Sequence, residues 1–103
     1  MSEEHLKHLS IKSLQNRVDR IREFRDGPYH EFVMRTLRDK ETPLEISWLR
    51  DSVSHELGYR ISKIINRLDN KPLETMSVSE RHRFVLDFIF PAEILIKAIQ
   101  LKI

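Results

Sequence analysis

Apolar residues recur every three or four positions along most of the chain, and this spacing constrains the fold more than any other feature. The first such seam joins Ile11, Leu14, Val18 and Ile21. Side chains spaced in this way lie on one face of an α-helix. No stretch alternates apolar and polar residues for long enough to predict a strand. The pattern therefore predicts an all-α protein.

Helix breakers divide this pattern into short segments. They are Asp26-Gly27-Pro28, Lys40-Glu41-Thr42-Pro43, Gly58, Asn70-Lys71-Pro72 and Pro91. Proline and glycine commonly mark helix boundaries, and a chain of 103 residues is the size of one domain. We therefore expect a compact bundle of five to six short helices, forming a single helical domain over 1–103.

Two sequences predict helix N-termini. Thr42-Pro43-Leu44-Glu45 and Ser77-Val78-Ser79-Glu80 both have the capping-box pattern. In such a box the hydroxyl accepts a backbone N–H three residues on, and the carboxylate accepts the N–H of the cap residue. We expect helices to begin after Thr42 and after Ser77.

The composition argues against an enzyme. The chain has no cysteine and two glycines, so it has no thiol nucleophile, thiolate metal site, disulfide or glycine-rich phosphate loop. His5 and His8 share a predicted helix face, but the five histidines are scattered and H-E-x-x-H is missing. Asp87 is a single carboxylate with no partner in the pattern. We expect no catalytic residues, no metal, no cofactor and no small-molecule substrate.

The N-terminal sequence predicts where the chain resides. Met1-Ser2-Glu3-Glu4-His5 is acidic and polar, unlike a secretory signal. No window approaches the roughly 18 apolar residues that a membrane span requires. We expect a cytoplasmic or nuclear protein that is not secreted.

A glycine between two amphipathic segments suggests a DNA-binding motif. Ser54 precedes Gly58 by four residues and Ile64 follows it by six, while Leu57 and Tyr59 supply apolar neighbours. This spacing resembles the helix-turn-helix motif of bacterial repressors. The resemblance implies a helix-turn-helix-like pair at about 43–70, with its second helix available to duplex DNA.

The polar face of the second segment, residues 59–71, would carry that binding. At about 100° per residue its basic and amide side chains share one stripe. The candidates are Arg60, Lys63, Asn66, Arg67, Asn70 and Lys71. Arginine and lysine contact phosphates, and asparagine pairs with adenine edges. The competing interpretation is an ordinary solvated face, because Glu56, Asp69 and Glu74 are close enough in sequence to neutralise part of the stripe.

The C-terminal segment is apolar on nearly all sides. A helix of this kind must be covered on all sides, by the core of its own domain, by a second copy or by a partner protein. The candidate interface residues are Phe90, Ile94, Leu95, Ile96, Ile99 and Ile103. Of these, Ile96 and Ile103 are expected on the outward flank.

These observations favour a small non-enzymatic regulatory or adaptor module. It would act by helix-mediated protein–protein interaction, with a homodimer or a partner protein on the C-terminal helix. The alternative is a helix-turn-helix transcriptional regulator that binds duplex DNA through residues 59–71.

Overall fold

The computed structural model describes residues 8–102, which fold into three long helices joined by short connections. Helix α1 covers residues 11–38, α2 covers 44–70 and α3 covers 78–100. The described part of the chain has no strand, which confirms the all-α prediction. Three long helices replace the five or six short ones that we expected.

The three helices form an elongated bundle. It measures 54 × 26 × 19 Å, and its radius of gyration is 15.8 Å. A compact domain of this length would have a radius near 13 Å, so the expectation of a compact bundle is wrong. The short connections make neighbouring helices antiparallel, and α3 packs against both α1 and α2.

Each helix is continuous through a π-helical turn. The consecutive segments are Ile11–Phe24, π turn Arg25–Tyr29 and His30–Arg38 in α1; Leu44–Trp48, π turn Leu49–Val53 and Ser54–Asn70 in α2; and Val78–Phe84, π turn Val85–Ile89 and Phe90–Gln100 in α3. The first of these turns contains the predicted break at Asp26-Gly27-Pro28 and the third lies just before Pro91, whereas no break was predicted at Leu49–Val53.

The π turns explain why two prolines do not end their helices. A π turn pairs a carbonyl with the N–H five residues on, instead of four. Pro28 lies inside the first π turn. In an α-helix one carbonyl would need the N–H that proline lacks, whereas in a π turn that carbonyl pairs with the N–H of the next residue. Pro91 follows the third π turn, in which the Phe90 N–H donates to the Val85 carbonyl. Each of the two helices therefore continues past its proline.

One inward stripe from each helix forms the core. The fully buried side chains include Leu14, Val18, Ile21 and Phe32 from α1, Leu57, Ile61 and Ile64 from α2, and Phe84, Ile89, Ala92 and Ile99 from α3. Burying one large aliphatic side chain stabilises a fold by roughly 1.5–3 kcal/mol. The helical seams in the sequence thus correspond to the packed faces.

The cap predicted at Ser77 is confirmed. The Glu80 N–H donates to Ser77 Oγ at 3.1 Å, and the Ser77 N–H donates to the Glu80 carboxylate at 3.3 Å. Helix α3 begins at Val78, directly after this box. The reciprocal bonds satisfy two backbone donors at the start of α3.

The cap predicted at Thr42 is wrong. Pro43 occupies the N-cap position of α2, with no side-chain cap. The Thr42 hydroxyl instead donates backwards, to the carbonyls of Asp39 at 2.8 Å and Thr36 at 3.1 Å. The last carbonyls of a helix lack intrahelical donors, and those of α1 lie within reach of this hydroxyl. Thr42 therefore caps the C-terminus of α1 instead of the N-terminus of α2.

No turn exists at Gly58, so the helix-turn-helix-like pair at about 43–70 is wrong. Gly58 lies inside the α-helical segment Ser54–Asn70, and no glycine in the described residues has a positive φ. Leu57 and Ile61, on either side of it, are both buried in the same core. Continuous packing on both sides of Gly58 favours an unbroken helix through this position.

We expect Gly58→Ala to stabilise the protein. A Cβ at this position would meet no atom within 4 Å, and alanine is favoured over glycine in a helix by about 1 kcal/mol. Chemical denaturation should show that gain in the free energy of unfolding. Ser62→Ala, an exposed position of the same helix, is the control and should gain only about 0.5 kcal/mol. A loss of stability in Gly58→Ala would indicate a turn after all.

Candidate protein-interaction surface

An ion pair helps to set the rotation of α3 against α1. Arg17 Nε donates to the Glu93 carboxylate at 2.9 Å, and a second guanidinium nitrogen donates to the other carboxylate oxygen. Donating hydrogen bonds to Glu93 raises the pKa of Arg17, an effect partly opposed by burial. Two parallel bonds fix the plane of the guanidinium group. The pair therefore favours one rotational setting of α3.

With α3 in that setting, four large apolar side chains face solvent. We call Leu86, Phe90, Ile94 and Leu101 the outer stripe; their exposed fractions are 48, 51, 53 and 78%. They lie four, four and seven residues apart, which places them on one side of the helix. The stripe runs for about 22 Å along α3.

Two of the predicted interface residues belong to the outer stripe. Phe90 and Ile94 are exposed, as an interface in the free protein requires. Ile103 lies outside the described residues. Of the predicted interface residues, Phe90 and Ile94 are therefore accessible to a partner.

The other predicted interface residues belong to the core side of α3. Ile99 is fully buried, and Leu95 is half-buried against the core. Ile96 lies in the groove between α1 and α3, beside Ile21 and Phe24. Its expected outward position is therefore wrong. Because the sequence of this helix is apolar all round, only the contacts with α1 and α2 decide which residues face inward.

Sequence reasoning missed the two ends of the outer stripe. Leu86 precedes Phe90 by four residues, and that spacing was a signal that could have identified it. Leu101 follows Ile94 by seven residues, two turns further on. Both are more exposed than the half-buried Leu95 and Ile96. The stripe is thus longer and more regular than the predicted interface.

A recess adjoins the C-terminal end of α3. It has a volume of about 520 Å³ and is lined by Leu44, Glu45, Trp48, Leu49 and Lys102. Leu44 is 85% exposed and Trp48 is 61% exposed. Both stand on the first turns of α2, which extend beyond the point where α3 ends. The apolar surface of α3 therefore has a neighbour on α2.

The basic residues predicted to bind DNA lie along the last turns of α2, with Lys71 just past its end, and two of them are held by acids. Arg60 Nε donates to Glu56 at 3.0 Å, and Lys71 forms an ion pair with Glu80. The Lys71 bond and the Ser77 backbone together lower the pKa of Glu80. These pairs neutralise both ends of the predicted basic stripe.

The remaining members of that stripe lie between the two ion pairs. Lys63 stands over the ring of Tyr59, with its Nζ 4.8 Å from the ring centroid. Asn66 and Asn70 are exposed, and Arg67 is half-buried. The stripe therefore presents a mixed polar surface with a small positive charge.

Residues 8–102 contain no group of three or more histidine, aspartate or glutamate side chains arranged to hold a metal ion. His5 lies outside this range. None of the helices described is long and apolar enough to cross a membrane. No family model, curated protein or solved structure matches the chain. The outer stripe with its neighbouring recess, and the polar stripe of α2, are the surfaces on which the candidate functions rest.

We expect Arg17 and Glu93 to be energetically coupled. A double-mutant cycle of Arg17→Met and Glu93→Gln should give about 1 kcal/mol, the upper range for exposed pairs, because this pair is bidentate and partly buried. The cycle for the single-bonded pair Arg60–Glu56 is the control and should give less than about 0.5 kcal/mol. Equal coupling in the two cycles would mean that the Arg17 pair does not specially anchor α3.

Proposed function

We propose that this chain is a non-enzymatic adaptor or regulatory module that binds another protein through the outer stripe of α3. The observation that supports this proposal is the alignment of four exposed apolar side chains on one helix. A helical partner that lays its own apolar face along α3 would cover them together.

The energetics favour such a contact. Each stripe residue keeps about half or more of its surface in water. Burying a whole leucine or isoleucine side chain contributes roughly 1.5–3 kcal/mol, so covering the exposed half contributes about 1 kcal/mol for each residue. The stripe as a whole exposes on the order of 400 Å² of apolar surface, the size of patch that often marks an interaction site.

Exposed apolar side chains elsewhere do not form such a stripe. Met34 and Leu37 on α1 are 42 and 61% exposed, but Met34 lies among His30, Glu31, Arg35 and Arg38, and Leu37 lies beside Arg50, Asp51 and His55. Tyr59 on α2 is covered in part by Lys63. One or two exposed apolar residues among charges are ordinary on protein surfaces. We therefore assign the interaction surface to the outer stripe of α3.

Photo-crosslinking tests the proposal directly. A benzoylphenylalanine residue replaces Phe90 in cells that produce the chain, and irradiation should yield an adduct with a protein. The same residue at Met34, a comparably exposed position on α1, is the control and should yield none. An adduct with a second copy or with another protein would each support the proposal. Adducts from neither position, or equally from both, would contradict it.

Binding of duplex DNA is the second candidate function. It is favoured by Lys63 and Arg67, which have no acidic partner within salt-bridge distance among the described residues, and by the exposed amides of Asn66 and Asn70. Lysine and arginine on one face can contact phosphates without a helix-turn-helix.

This candidate makes its own prediction. Retention of duplex DNA should fall steeply with salt, because phosphate contacts release counterions. Lys63→Ala and Arg67→Ala should each weaken it, whereas Lys12→Ala on the exposed surface of α1 should not. If no duplex is retained at low salt, DNA binding by this face is ruled out.

A further inference from the structure

We propose that the partner of the outer stripe is a second copy of this chain, with the two α3 helices packed antiparallel about a two-fold axis. The axis passes midway between Phe90 and Ile94. This inference rests on the proposed function, because it names the occupant of the same surface.

The stripe is self-complementary about that axis. Phe90 of one copy lies opposite Ile94 of the other, and the same pair forms again on the other side of the axis. Leu86 lies opposite Ala98, a small half-buried residue that leaves room for it. A two-fold contact uses the same patch twice and closes on itself. Three of the four stripe residues, Leu86, Phe90 and Ile94, thus meet apolar or small residues across the axis.

The sides of α3 determine which further residues meet. Glu93 marks the side next to α1, through its pair with Arg17, and Lys102 marks the side next to α2, where it lines the recess. Counting the extra residue of the π turn, Arg83 lies on the Lys102 side of the stripe. Rotation about the two-fold axis keeps the Lys102 sides of both α3 helices on the same side of the dimer. Arg83 of the second copy therefore approaches α2 of the first.

Height along the bundle places this arginine at the recess. In the antiparallel register Arg83 lies opposite Leu101, beside the recess lined by Glu45 and Trp48. Its side chain is 76% exposed and forms an exposed ion pair with Asp87 on its own helix, at 3.1 Å. Arg83 would exchange this partner for Glu45 of the other copy. Val78, 39% exposed on the first turn of α3, comes level with Leu44 and Trp48. The basic Arg83 thus lies near the acidic Glu45, and the apolar Val78 lies near the apolar Leu44 and Trp48.

The exposed apolar area of the outer stripe and the recess is close to the area that a stable dimer buries. Specific interfaces bury roughly 800 Å² on each partner. The outer stripe alone supplies about half of that, and the exposed parts of Leu44 and Trp48 bring the apolar total to on the order of 700 Å². The stripe and the recess together, but neither alone, approach the required size.

Light scattering and sedimentation equilibrium of the full chain test this inference. The wild type should have twice the mass of the 12.4 kDa chain. Ile94→Asp should weaken dimerisation at least about 100-fold, the effect of losing close to 3 kcal/mol at a symmetric contact that occurs twice. Met34→Asp, on the far face of α1, should leave the mass unchanged. Circular dichroism checks that each variant keeps its helices.

A charge exchange tests the register. Glu45→Arg and Arg83→Glu should each weaken dimerisation by about tenfold, and the double variant should return to within about threefold of the wild type. Both positions are exposed in the single chain, so the variants should remain folded. Two losses that merely add in the double variant would overturn the proposed register.

The outcomes separate this inference from the proposed function. A wild-type chain that stays monomeric at high concentration, while position 90 still crosslinks to a different protein, overturns the second copy as partner and leaves the proposed function intact. A monomer with no crosslink from position 90 overturns both. A dimer that persists in Ile94→Asp places the contact elsewhere and overturns this inference.

Discussion

Each helix of a three-helix bundle has two neighbours, and this limit governs the surface of the protein. Helix α3 is apolar nearly all round, but α1 and α2 can cover only the side that carries Ala92 and Ile99. The opposite side faces water because no fourth helix from residues 8–102 lies against it. The ion pair of Arg17 with Glu93 favours the setting in which Phe90 and Ile94 are on that side. The candidate site thus follows from the number of helices and the rotation of one of them.

The length of the helices follows from how the chain accommodates its breakers. Pro28 lies within a π turn and Pro91 follows one, while Gly58 is an ordinary helical residue. A short helix would leave more ends to cap, whereas a continuous one pairs nearly all of its backbone groups internally. The result is a long, narrow bundle whose helices end at different heights. The first turns of α2 extend past the end of α3, which creates the recess at Trp48.

The same geometry changes the meaning of the basic residues on α2. In a helix-turn-helix they would lie on a separate helix that can enter a groove of DNA. On one continuous helix, Arg60 is four residues from Glu56, and the turn to α3 brings Glu80 to Lys71. Acids that are near in sequence or brought near by the fold therefore neutralise much of the stripe. The outer stripe of α3 has no corresponding cover within the described residues, so it is the better-supported site.

The helical class, the apolar seams such as Leu14 and Val18, and the cap at Ser77 could all be predicted from the amino-acid pattern, because each depends on residues that are close together along the chain. Packing between the helices was needed to show that Gly58 stays helical, that Thr42 bonds backwards to α1, and that Ile99 faces inward while Phe90 faces out. Those outcomes depend on competition between distant groups: packing on both sides of Gly58, the unpaired carbonyls at the end of α1, and the contacts of α3 with two other helices. An apolar helix has the same local pattern whichever side is buried, so its phase is set by its neighbours.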